Sequence, residues 1–292
     1  MKPKYGWIYQ LNWLFPALAF ILVFAAFPIY VVFHNATNGR PNSGLYQFSF
    51  YQFKQIFVDV NFTNALINTT IYTVCAIPLT LFISLLIAKG ISKLAHPRIL
   101  QSAFFLPFLT STLAIGMIFQ VLFAPQNQND ATIKVILIVF GTFGALPFRI
   151  IMFTSAFLAV DKNLYRAASA DGIPNWQQFF KIDLVEVFPV ILYSLTTGII
   201  NGFKFLPFGL FFSYDQSVAK GGHTIVYYIY SQINEFQNYG KAGASSVTLM
   251  FFILILTIIN RLIWTRKKKT NYEKNKKNQH NRLTNTGSSS GN

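Results

Sequence analysis

Six stretches of this chain are apolar for about as long as a bilayer is thick, and that limits the fold before anything else is read. They cover roughly residues 13–33, 65–88, 99–123, 133–160, 187–208 and 242–264. Each is near or above the roughly 20 residues a helix needs to cross hydrocarbon. The pattern predicts an all-α membrane protein with six transmembrane helices. Residues 1–264 form its polytopic domain, and residues 265–292 a basic tail with no fixed structure, too polar to bury a core. Composition agrees: 53% of the residues are hydrophobic, 17% aromatic and only 11% charged, which excludes an ordinary soluble domain.

The first apolar run is longer than a signal-peptide core and lacks a small-residue cleavage pattern, so it reads as a retained span. Pro16 and Pro28 sit near its ends, where a missing N–H does least harm. The polar, aromatic stretch 34–62 that follows suits a short amphipathic helix on the membrane surface. A bend is expected in the fourth run, which carries Gly141, Gly144 and Pro147. The one cysteine, Cys75, lies inside a run, so no intrachain disulfide forms.

A net charge of +15 would suit a nucleic-acid binder, but the cations are distributed for membrane topology. With six spans, Lys2, Lys4, Lys89, Lys93, Arg98, Lys162, Arg166, Lys181 and the tail from Arg261 onward fall on one side. Arg40, Lys54, Lys220 and Lys241 fall on the other. Short basic loops stay cytoplasmic, so both termini are expected inside, with the tail against anionic lipid.

Catalysis finds no support. His34, His96, His223 and His280 have no metal-pair spacing, the nine acids are scattered, and no G-x-x-x-x-G-K-[ST] loop is present. No catalytic residue, metal site or cofactor is assigned. The fifth run offers polar groups for a solute path: Thr197, Asn201 and Lys204 lie at i, i+4 and i+7, on one helical face. Facing lipid they would be costly, so they line either a cavity or a helix interface. Hydroxyls, amides and aromatics together suit a carbohydrate. An anionic solute would want several inward cations, and only Lys204 is obvious. Arg149, just past Pro147, has no role in this reading.

Between the fourth and fifth runs lies the longest polar interruption that still reads as structured, 161–189. Asp161 can cap a helix in which Leu164, Ala167, Ala168 and Asp171 share one face, with Lys162, Arg166 and Ser169 on the other. Gly172 is placed to end it, Pro174 to open a second helix, and Trp176, Phe179 and Phe180 to give that helix an apolar stripe. Two adjacent alanines let another surface approach closely, with Tyr165 as a flanking anchor.

The run Leu164-Tyr165-Arg166-Ala167-Ala168, then Asp171-Gly172, Trp176, Phe179 and Ile182, resembles the EAA loop of permease subunits of binding-protein-dependent ABC importers. The maltose and multiple-sugar branch is the most similar. Weaker matches are Pro147-Phe148, the Gly-Gly of the 219–224 loop, and Tyr239-Gly240 before the small residues 242–246. Two positions depart: Arg166 stands where the motif has Glu, and Val185 where it has Pro. The resemblance implies a coupling helix seated in a cytoplasmic ATPase, with Tyr165, Arg166, Ala167, Ala168, Asp171 and Gly172 at the contact. It also implies a second permease subunit, a pair of ATPase subunits that hydrolyse the ATP, an extracellular substrate-binding protein and a prokaryotic cell membrane. A sugar or oligosaccharide is the implied solute. A permease for another solute would share the loop. A polytopic membrane enzyme or scaffold is the reading from another class.

Overall fold

The structure is a computed structural model that describes residues 6–39, 46–94, 96–123 and 129–287. Lys2, Lys4, Arg40, most of the polar loop 125–130 and the end of the tail lie outside the described residues. The helices are α1 (Gly6–Ile21), α2 (Phe27–Thr37), α3 (Tyr51–Val58), α4 (Val60–Ser92), α5 (Pro97–Phe105), α6 (Thr112–Phe123) and α7 (Asp130–Leu158). They continue with α8 (Lys162–Ala170), α9 (Asn175–Gln178), α10 (Leu184–Phe203), α11 (Tyr214–Ala219), α12 (Ile225–Asn234) and α13 (Tyr239–Gly287). Among the described residues, five helical stretches can cross a membrane by length and composition: Leu14–Thr37, Val60–Ser92, Asp130–Leu158, Asn175–Phe203 and Tyr239–Leu262.

The expected third span, 99–123, is not one helix. It breaks into α5, a 3₁₀ turn at Leu106–Leu109 and the short apolar α6. Pro107 has no N–H to continue the ladder, and the hydroxyls of Thr110, Ser111 and Thr112 follow at once. α6 is then seated by close backbone approach: a Cβ on Gly116 would lie 2.0 Å from the Phe208 carbonyl oxygen. The fifth span also differs, since α10 stops at Phe203 and residues 204–208 lie beyond it.

α4 packs along α7, and α10 lies against both. α7 runs unbroken through Gly141, Gly144 and Pro147; Gly141 is a notch for the Tyr72 ring, whose hydroxyl would lie 2.0 Å from an added Cβ. At one end of these helices Ala88, Phe153, Phe157, Val160 and Val187 form a buried apolar cluster. At the other end the connection after α10 is tied down by hydrogen bonds that a polar chain must satisfy once buried. Asn68 Nδ2 donates to the His223 carbonyl (3.3 Å) and Ile225 N–H to Thr69 Oγ1 (2.9 Å). Tyr228 donates to Asp59 Oδ2 (2.8 Å), which also meets Lys241 at 3.5 Å. His223 is buried, and Nε2 lies 3.1 Å from the Asn61 carbonyl. Burial pushes its pKa down from the usual value, so the ring is held neutral.

The chain divides into a packed unit ending at Met250 and a second unit beginning at Phe251. The second consists of the continuing turns of α13, whose backbone stays helical to Gly287 through the basic stretch for which composition predicts no fixed structure.

Candidate functional site

The elbow between α7 and α10 is built by local chemistry at both of its corners. Asp161 caps α8, its carboxylate accepting from Asn163 N–H at 2.9 Å. Gly172, at φ +70°, ends it in a left-handed turn. Ile173 N–H donates to the Ala168 carbonyl (2.9 Å) and Gly172 N–H to that of Ser169 (3.1 Å), the paired bonds of a Schellman stop. Gln178 then rivets α9 to the turn, donating to the Ile173 carbonyl at 2.8 Å and to Ser169 Oγ at 3.3 Å. α9 continues through a wide π turn, Phe179–Asp183, into α10.

That π turn buries Asp183, only 1% exposed, 2.6 Å from Lys89 Nζ at the end of α4. The Tyr165 hydroxyl donates to the other Asp183 oxygen, and Lys89 Nζ sits 3.4 Å from that hydroxyl. The ammonium also lies over the Tyr165 and Phe157 rings, at 5.0 and 5.4 Å from their centroids. Burial, with the Asp183 carboxylate beside it, pushes the Tyr165 phenol above its usual pKa. One ion pair, assembled from residues 94 positions apart, thus ties α4, α8 and the start of α10 together.

The other side of the elbow is open. Leu164, Arg166, Ala167, Asp171 and Gly172 are exposed, and so are Trp176 (65%) and Phe180 (60%). Of the alanine pair only Ala167 faces out, because Ala168 is buried within the chain. Leu164, Ala167 and Asp171 therefore share a face without it. Arg166 Nη1 reaches Asn163 Oδ1 at 3.5 Å, and among the described residues it meets no carboxylate within ion-pair distance.

The second feature is a cavity of about 730 Å³ between α4, α7, α10 and the broken α5–α6 segment. Thr197, Asn201 and Lys204 all line it. Thr197 donates to the Tyr193 carbonyl at 2.9 Å. Lys204 is not a helical residue on the same face but the residue that closes α10. Sequence reasoning missed Arg149, which is buried in α7 and lines the same cavity. Its signal was available: a lone charge inside an apolar span is a functional candidate by default. Tyr72, stacked on Phe205 with centroids 4.1 Å apart, and Phe140, Phe148 and Tyr193 supply aromatic faces.

Both features lie within residues 59–269, which match the family described as the inner membrane component of binding-protein-dependent transport systems. The chain belongs to this family. As a member it is a membrane component of a transport system. A probable ABC transporter permease of Mycoplasma pneumoniae is 31% identical to it over 82% of this chain and 79% of the relative. An arabinooligosaccharide-transport permease of Bacillus subtilis is 29% identical over 68% and 70%, and a lactose-transport permease of Rhizobium radiobacter 25% over 86% and 93%. The fold matches that of a chain from a bacterial ABC transporter that imports the acidic polysaccharide alginate. The TM-score is 0.74 at 17% identity, covering 90% of this permease and 96% of that chain.

Proposed function

We propose that this permease forms part of the translocation path of an ATP-driven importer for a sugar or oligosaccharide delivered by an extracellular binding protein. It pairs with a second permease subunit, and a pair of ATPase subunits binds the elbow on the cytoplasmic side, where both termini also lie. The carrying observation is the two-sidedness of the elbow that runs from α8 through α9 and the π turn. Its outer face presents Leu164, Trp176 and Phe180 to solvent, while its inner face is pinned to α4 by Asp183 and Lys89. Exposed apolar groups on a short rigid element suit a groove in a partner. A displacement of α8 is passed through the ion pair to α4 and directly to α10, two of the helices that wall the cavity. Two packings of these helices, biased by the nucleotide state of the ATPase, would open the cavity to one side and then the other. The named solutes of the Bacillus and Rhizobium relatives support a carbohydrate.

A cysteine at Ala167 tests the reading. In the purified complex it should cross-link to a co-purifying ATPase, and deleting 164–172 should abolish oligosaccharide uptake while membrane insertion persists. Labelling of that cysteine from outside intact cells, or normal uptake by the deletion, would overturn it; a complex with no ATPase would favour a scaffold.

A further inference from the structure

The cavity is electrically one-sided. Its lining contains two cations, Arg149 and Lys204, and no Asp or Glu. The ion pairs among the described residues are Lys89–Asp183 and Lys241–Asp59, so neither cavity cation is neutralised by a carboxylate among the described residues. Arg149 is only 9% exposed, inside a membrane-spanning helix. A buried guanidinium without a counter-charge is strongly unfavourable, and such residues mark solute pathways. Room has been made for it: a Cβ on Gly198 would lie 2.7 Å from Arg149 Nη2. On the same wall Ser194 Oγ is buried and makes no hydrogen bond to the described residues. A fork of guanidinium donors matches the two oxygens of a carboxylate or phosphate. Lys204 lies six residues beyond Gly198, about 9 Å of helix rise, so the two charges are staggered along the cavity.

We propose that the solute is an anionic carbohydrate, its carboxylate or phosphate group met by Lys204 at the end of α10 and held by Arg149 and Ser194 deeper in. The aromatic side chains lie against its sugar faces. This deepens the importer reading above and rests on it.

Binding to the complete transporter in nanodiscs, without the binding protein, tests the inference directly. The probes are trigalacturonate, glucose 6-phosphate and the neutral trisaccharide raffinose. One of the two anions should bind about tenfold or more tightly than raffinose, and which one it is identifies the group as carboxylate or phosphate. Arg149→Gln should weaken that anion roughly thirty-fold, the lower range for loss of one partner of a buried charge pair, and leave raffinose little changed. Arg149→Lys should recover part of the loss. Lys204→Gln, in an exposed position, provides an independent test should Arg149→Gln fail to assemble: anion affinity should fall several-fold. Equal affinity for raffinose and both anions, or an anion affinity indifferent to the Arg149→Lys and Lys204→Gln changes, would overturn the inference. If the same complex still contains its ATPase, the importer reading survives that result; absence of an ATPase is the separate failure of that reading.

Discussion

Replacing Asp183 by alanine removes the counter-charge of Lys89 and the acceptor of Tyr165 in one step, and the loss can be sized from the geometry. Breaking a buried ion pair by deleting one partner costs about 3–5 kcal/mol, because the remaining charge is stranded. Asp183 is 1% exposed, but Lys89 keeps 17% and the Phe157 and Tyr165 rings, so it can partly rehydrate. The low end, about 3 kcal/mol, is therefore expected for Asp183→Ala. Lys89→Met should cost at least as much, since it strands the more deeply buried Asp183. Replacing both, as Lys89→Met with Asp183→Leu, leaves no stranded charge and should restore most of the stability. At about 2–4 °C per kcal/mol for a chain of this size, each single change should lower the melting midpoint of the purified complex by roughly 6–12 °C. The double change should return to within a few degrees of wild type. Uptake should fall in all three, because the apolar pair restores packing but not the polar clamp on Tyr165. Additive losses in the two single variants and the double would refute the argument, showing that packing alone holds the elbow to α4.

At Gly172 an added Cβ meets nothing within 4 Å, so substitution by any residue but proline acts through the positive φ. Gly172→Ala should cost about 1–2 kcal/mol and slow uptake, Gly172→Asn should be nearly silent, and Gly172→Pro, locked at negative φ, should abolish uptake with insertion intact; equal uptake in all three would remove the turn from the mechanism. His223 is neutral in the fold because burial lowers its pKa. That contribution to stability is full above the unfolded pKa of about 6.5 and is lost as pH falls through the lower folded value. The melting midpoint should fall as pH is lowered below about 6.5 in wild type and fall less in His223→Gln; parallel curves would sink the assignment.

Much of the architecture is legible in the sequence because it rests on short-range rules. Run length separates the spans, the cap at Asp161 and the stop at Gly172 bound α8, and i, i+4 spacing groups Thr197 and Asn201 on one wall of the cavity. The break within the third run is not legible because an apolar average over twenty residues does not register one missing N–H at Pro107. Nor does it anticipate the contact of Gly116 with the Phe208 backbone, 92 residues on. The alanine pair misleads for a related reason: adjacent residues on a helix point about 100° apart, so Ala168 can be buried while Ala167 stays outside.

What the sequence by itself determined is a set of membrane helices, an elbow between two of them and the family they belong to, all of which follow from local hydropathy, capping and motif. Only the tertiary structure decided that Asp183 is the partner of Lys89, and that Arg149 and Lys204 share one cavity with no carboxylate lining it. Charge neutralisation depends on distance in space, and two groups separated by many turns of helix carry no mark in the sequence of whether they meet.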